Sequence, residues 1–170
     1  MTNEDNQVTI TEFLPALAEP LETPDEVSVR LDIDVSGGTL NFIMVDTTAW
    51  PPGSDGRAVT KDEDGNICLV VERGRDRIFT FDLSPDWRWT FDPAVNQAGI
   101  PMTFKRGEAK LYRVTDIKGP QLKIHAKARP NMPSGGARDF FNLHVLVTQD
   151  SGDPIALRID PIMDNPPDKP

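Results

Sequence analysis

Residues 27–35 read Val27-Ser28-Val29-Arg30-Leu31-Asp32-Ile33-Asp34-Val35, with an apolar side chain at every odd position and a polar one at every even position. Successive side chains of a strand point to opposite faces, so this period of two describes a strand with one buried and one wet face. Gly37-Gly38 follows as a hairpin-turn signal, and Thr39–Val45 is the expected return strand.

Working outward from this hairpin, the same alternation recurs. Ile67–Glu72 and Arg77–Leu83 flank Gly74 and read as a second hairpin. Trp87, Trp89 and Phe91 alternate with Arg88, Thr90 and Asp92, and are expected to be a core face rather than a stacking platform. Lys110–Ile117 and the run Leu122, Ile124, Ala126, Ala128 are joined by Gly119-Pro120. Phe141, Leu143, Val145 and Val147 form another apolar face, and Ile155, Leu157 and Ile159 the last one. Sixteen Pro and 12 Gly punctuate these runs and disfavour long helices. Pro93–Thr103 is expected to be irregular with room for one helical turn, and the tail from Pro161 to be extended. About nine short strands separated by turn signals, with no strand–helix–strand alternation, predict an all-β fold: an immunoglobulin-like antiparallel β-sandwich spanning residues 27–160.

The 170 residues carry a net charge of −9, distributed unevenly. Residues 1–26 hold seven acids and no base, whereas residues 27–170 hold 20 acids and 18 bases. This opening segment is unlike a secretory leader, which begins basic and continues apolar. No run reaches the ~18–20 apolar residues that span a bilayer. With one unpaired cysteine, Cys68, the expectation is a soluble cytoplasmic protein. Within the acidic segment Ile10, Phe13, Leu14, Leu17 and Leu21 recur at helical spacing, interrupted by Pro15 and Pro20. It reads as a short amphipathic arm, and Phe13, Leu14 and Leu17 are candidates to dock on a partner, as is Trp50 beside Pro51-Pro52.

A basic window complements the arm. From Thr103 to Arg138 there are nine Lys and Arg against Glu108 and Asp116. Period two places Lys123, His125, Lys127 and Arg129 on one strand face, and Arg138 follows a Gly-rich loop. These five residues are the candidate site for an anion or for the acidic arm. Overall acidity argues against duplex nucleic acid as a partner, and the stripe lacks the aromatic interleaving of a single-strand site.

Chemistry-bearing motifs are sparse. Two histidines, His125 and His144, and one cysteine are too few for a structural zinc centre. Cys68 does not share a short loop with a histidine, which argues against blue copper, and its strand position suits a buried apolar role. In Asp62-Glu63-Asp64-Gly65-Asn66 the EF-hand register puts Thr60 and Val71 at the first and last ligand positions, so a turn is expected. A looser calcium site in this loop stays open. Phosphate-loop, dinucleotide and nucleophile-elbow motifs are lacking, and no cofactor or metal is expected.

The segment Leu157-Arg158-Ile159-Asp160-Pro161-Ile162 resembles the Asp-Pro-Ile ending of bacterial inclusion-body proteins of the AidA/PixA type. Val29–Val35 followed by Leu40–Val45 is similar to their opening. This resemblance implies a cytoplasmic β-sandwich that self-associates, without catalytic residues to carry over. Asn142-Leu143-His144-Val145 and Asp160-Pro161 with Asn165-Pro166-Pro167 also look like small uncharacterised bacterial proteins, some labelled nucleotide synthetase. No residue here supports that activity. The sequence therefore favours a non-catalytic module that binds itself, as a homo-oligomer, or another protein. The alternative is a binder of, or enzyme on, a small anionic ligand, with His125 as its acid–base group.

Overall fold

The computed structural model describes residues 23–53, 56–95, 99–130 and 132–167. Their strands are β1 (Asp25–Asp34), β2 (Asn41–Asp46), β3 (Val59–Lys61), β4 (Ile67–Val70), β5 (Arg77–Leu83), β6 (Trp89–Phe91), β7 (Met102–Arg106), β8 (Tyr112–Lys118), β9 (Gln121–Ala126), β10 (Ala137–Val147), β11 (Ile155–Ile159) and β12 (Ile162–Asn165). The molecule is thus all-β, as the alternation predicts, but with twelve strands where nine were expected. The three additions are β3, β7 and β12. Among the described residues before β7, Pro93–Val95 forms a 3-10 turn.

One sheet has the order β2-β1-β5-β9-β8. The other is built around β10, the longest strand. On one side β10 pairs with β11 through Leu143–Val147 and with β12 through Ala137–Phe140. The register runs unbroken from β11 into β12, so Asp160-Pro161 interrupts one continuous path. Proline lacks the N–H a ladder needs, which explains the break there. On its other side β10 pairs with β6 and β7, and β12 leads on to β4 and β3.

Two expectations are corrected. β4 and β5 do not form a hairpin: β4 pairs with β12 and β3, β5 with β1 and β9, so Glu72–Asp76 crosses between sheets. Nor is the sandwich wholly antiparallel, since β1 runs parallel to β5 and β12 parallel to β4. Hydrophobic alternation specifies which face of a strand is buried and is silent about which neighbour it joins.

The odd positions of β1 bury Val27, Val29, Leu31 and Ile33 against Phe79, Phe81, Leu122 and Ile124 of the same sheet. Trp89, Phe91, Met102, Phe104, Phe141, Leu143, Val145 and Met163 supply the opposing layer. The rings of Phe79 and Phe81 stack at 6.0 Å, and Tyr112 joins Phe104 and Phe141 at 5.9 and 6.5 Å. Each fully buried large apolar side chain contributes about 1.5–3 kcal/mol, so this two-layer core accounts for the fold without a disulfide or metal.

Candidate functional site

The basic residues picked from sequence separate in space. Lys123 and His125 do share the outer face of β9, which is an interior strand between β5 and β8. His125 is held there by Asp76, Nε2 to Oδ2 at 2.9 Å, while the other Asp76 oxygen accepts the Ala128 N–H. The strand ends at Ala126, and the period of two ends with it. Lys127 follows, its N–H donating to the Leu111 carbonyl. Arg129 turns inward and away from the stripe. Arg138 lies on β10 in the other sheet, paired with Asp62 at 3.2 Å and Asp164 at 3.4 Å. Phe13, Leu14 and Leu17 lie outside the described residues.

Basic character on this face comes instead from two neighbouring strands. Cross-strand pairs place Arg113 beside His125, Asp116 beside Lys123, and Lys118 beside Gln121. Thr115 is an extra residue between Val114 and Asp116, a bulge that shifts the side-chain alternation of β8. Val114 before the bulge and Ile117 after it therefore both sit on the core-facing side, paired with Ile124 and Leu122. Because β8 is an edge strand, the two remain partly open. With Ile100, Thr115 and Asp116 they line a shallow cleft of about 270 Å³.

A second constellation escaped the sequence reading. Asp139 occupies the same inward parity on β10 as Phe141 and Leu143, and is fully buried. Its carboxylate accepts both Arg129 bonds at 2.6 Å, the Glu108 N–H at 2.9 Å, and the Tyr112 hydroxyl. Arg129 Nε also donates to Asn165 Oδ1 at 3.0 Å, and Asn165 Nδ2 to the Val71 carbonyl at 3.1 Å. Burial, reinforced by the Asp139 charge, pushes the Tyr112 phenol well above its usual range. Gly107 is required where it stands: φ is +117°, and a Cβ there would collide with the Asp139 carboxylate and lie 2.9 Å from its Cα. The cluster ties both sheets together, with Asp139 fully buried and Arg129 only 15% exposed. The signal in the sequence was a carboxylate two residues before an apolar alternation, on its buried parity.

The remaining candidates are also absorbed by structure. Trp50 is half-buried against the core, its indole N–H donating to Asp46 at 2.9 Å under the Arg77 guanidinium. Arg77, at the inward parity of β5, donates to the carbonyls of Arg57 and Val70 at 2.7 and 2.6 Å and faces Asp25 at 3.6 Å. Asp62 closes its own turn by accepting from Asp64 and Asn66, and the Asn66 backbone bond above all holds its carboxyl below the ordinary range. A cation at this loop would compete with Arg138 for that carboxylate. Cys68 is buried in β4, and burial raises its thiol pKa, so the unreactive protonated form is favoured. His144 pairs with the Thr103 hydroxyl at 2.7 Å, and burial followed by the Arg158 charge lowers its pKa. Among the described residues there is no group of three or more His, Cys, Asp or Glu placed to hold a metal. No helix among them is long and apolar enough to cross a membrane.

This arrangement defines an all-β sandwich with a shallow cleft at its β8 edge. No family model matches the chain, and no curated protein does. Among solved structures it has a distant likeness to an inclusion body protein, PixA, from Burkholderia cenocepacia J2315: 9% identity over 88% of this chain and 99% of that one, with a TM-score of 0.39.

Proposed function

We propose that this chain is a non-catalytic, self-associating β-sandwich in which the acidic N-terminal segment of one copy docks on the β8 edge of another. The observation that carries this reading is the apolar cleft that Ile100, Val114 and Ile117 form at an edge strand; Asp116 also lines it, and Arg113 and Lys118 lie on the outer face of the same strand, Lys118 paired with Asp116 at 3.3 Å. Its volume of about 270 Å³ falls at or below the ~300–1,000 Å³ of sites that enclose a small molecule, and suits one or two apolar side chains. Residues 1–26 offer Phe13, Leu14 and Leu17 for this apolar floor, and seven acids for the basic outer face of the sheet beyond the edge. A site for a small anion would need Lys123, His125, Lys127, Arg129 and Arg138 to converge, and Arg129 and Arg138 are engaged elsewhere.

Light-scattering mass of the full chain tests this at low and high salt. The expected result is an oligomer that dissociates with salt, because exposed charges are screened beyond about 10 Å at 0.1 M. Ile117→Asp, and separately Phe13→Asp with Leu17→Asp, should each weaken assembly at least tenfold. A wild-type mass of one chain throughout, or variants that assemble like wild type, would reject the docking.

A further inference from the structure

We infer that the opposite edge of the same sheet, strand β2, is a homotypic pairing site that joins two copies into one continuous sheet. β2 reads Asn41-Phe42-Ile43-Met44-Val45-Asp46 and, among the described residues, is registered to β1 alone through six consecutive pairs without a bulge. An edge strand presents alternate unpaired N–H and C=O groups, and monomeric proteins blunt such edges with Lys, Pro, bulges or brevity. The other edges here show these devices. β8 has Arg113, Lys118 and the Thr115 bulge; β3 is three residues long and ends in Lys61; β11 carries Arg158. β2 has no Lys, Arg, Pro or bulge, and its one charge, Asp46, stands at its end. It instead exposes Ile43 and Val45, 39% and 38% accessible, on its outer face.

Charge and shape select a second copy as the occupant, and one register. On β1, Arg30 lies beside Val45 and Asp32 beside Ile43. Antiparallel pairing about a two-fold axis at Met44 sets Ile43 of each copy against Val45 of the other. Each outer row then runs Arg30, Val45, Ile43, Asp32 across the joint, an apolar centre closed by opposite charges. Centring the axis on Ile43 would set Val45 against the polar Asn41 and break the apolar row. Asp46 then falls opposite Phe42, with its carboxylate already engaged by the Trp50 indole and the Thr48 N–H. One short edge buries little area, so the dimer is weak and concentration-dependent.

This surface is separate from the β8 cleft, and the test keeps them apart. Sedimentation velocity of the full chain over a concentration series is compared for wild type, Val45→Lys, Ile117→Asp and the double variant. Hydrogen exchange of the residue 42–46 amides is followed at the lowest and highest concentrations. Val45→Lys should weaken one association step at least tenfold and abolish a concentration-dependent protection of these amides, leaving the Ile117-sensitive step in place. Val45→Thr, which keeps strand propensity, serves if the lysine variant fails to fold, and is expected to weaken the step several-fold. Association of Val45→Lys or Val45→Thr like wild type, or amide exchange at 42–46 that ignores concentration, overturns the proposal. Loss of all association in Ile117→Asp alone, with Val45→Lys unaffected, would leave the arm reading standing and reject this one.

Discussion

Asp139 faces the core in line with Phe141, Leu143 and Val145, and its charge is tolerated there because Arg129, Tyr112 and the Glu108 N–H all donate to it. Removing one partner of a buried ion pair strands the other, at a cost of about 3–5 kcal/mol. Asp139→Asn should therefore cost that much, because Arg129 loses its countercharge in a site only 15% exposed. Tyr112→Phe removes one donor from a carboxylate that keeps the others, and should cost about 1.5–3 kcal/mol. Denaturant unfolding measures both, and equal losses would contradict the ion-pair account. His144 sets a pH dependence of defined sign. Burial, then Arg158, lowers its folded-state pKa below the ordinary 6.5, with Asp92 opposing. The unfolded chain then binds the proton more readily, so this contribution is complete above about pH 6.5 and is lost as pH falls below it. Wild type should lose more stability between pH 7 and pH 5 than His144→Gln; parallel profiles would show that His144 does not contribute.

At the scale of the element, alternation was legible wherever one face is apolar and the other wet. β1, β5, β8, β9, β10 and β11 could be read from Val27–Ile33 and its counterparts, and β2 from the Gly37-Gly38 turn that precedes it. What stayed hidden has specific causes. β12 follows Asp160-Pro161, and a proline-rich ending reads as extended coil until β10 and β4 are seen to flank it. β7 buries Met102, Thr103 and Phe104 in succession, so it has no alternation to detect. The β4–β5 connection resembles a hairpin because Gly74 sits midway between two apolar runs, yet Arg77 anchors β5 to the Arg57 and Val70 carbonyls from across the sandwich. The basic stripe shows the same limit. Parity placed Lys123 and His125 together correctly and failed at Arg129, because β9 stops at Ala126 and the chain turns toward Asp139. The cleft on β8 depends on a bulge, and one extra residue at Thr115 has no signature in an alternating sequence.

For the whole molecule, the question is where the folding unit begins. The acidic segment was expected to end at Glu26, but β1 starts at Asp25, and that residue belongs to the fold. Its N–H donates to the Asp76 carbonyl, and its carboxylate meets Arg75 at 3.0 Å and the buried Arg77 at 3.6 Å. Every buried core residue among those described lies between Val27 and Met163. Two truncations four residues apart should therefore behave differently. A chain beginning at Thr23 keeps Asp25 and should melt within about 2 °C of the full protein, a shift worth roughly half to one kcal/mol at this size. A chain beginning at Val27 leaves Arg77 without its nearest carboxylate and should lose about 1.5–3 kcal/mol, the range for a hydrogen bond to a charged group. Thermal unfolding by circular dichroism separates them. Equal melting temperatures would mean that the Arg57 and Val70 carbonyls alone satisfy Arg77. A large loss already in the Thr23 chain would mean that residues 1–22 stabilise the sandwich itself, so that the arm acts on folding as well as on assembly.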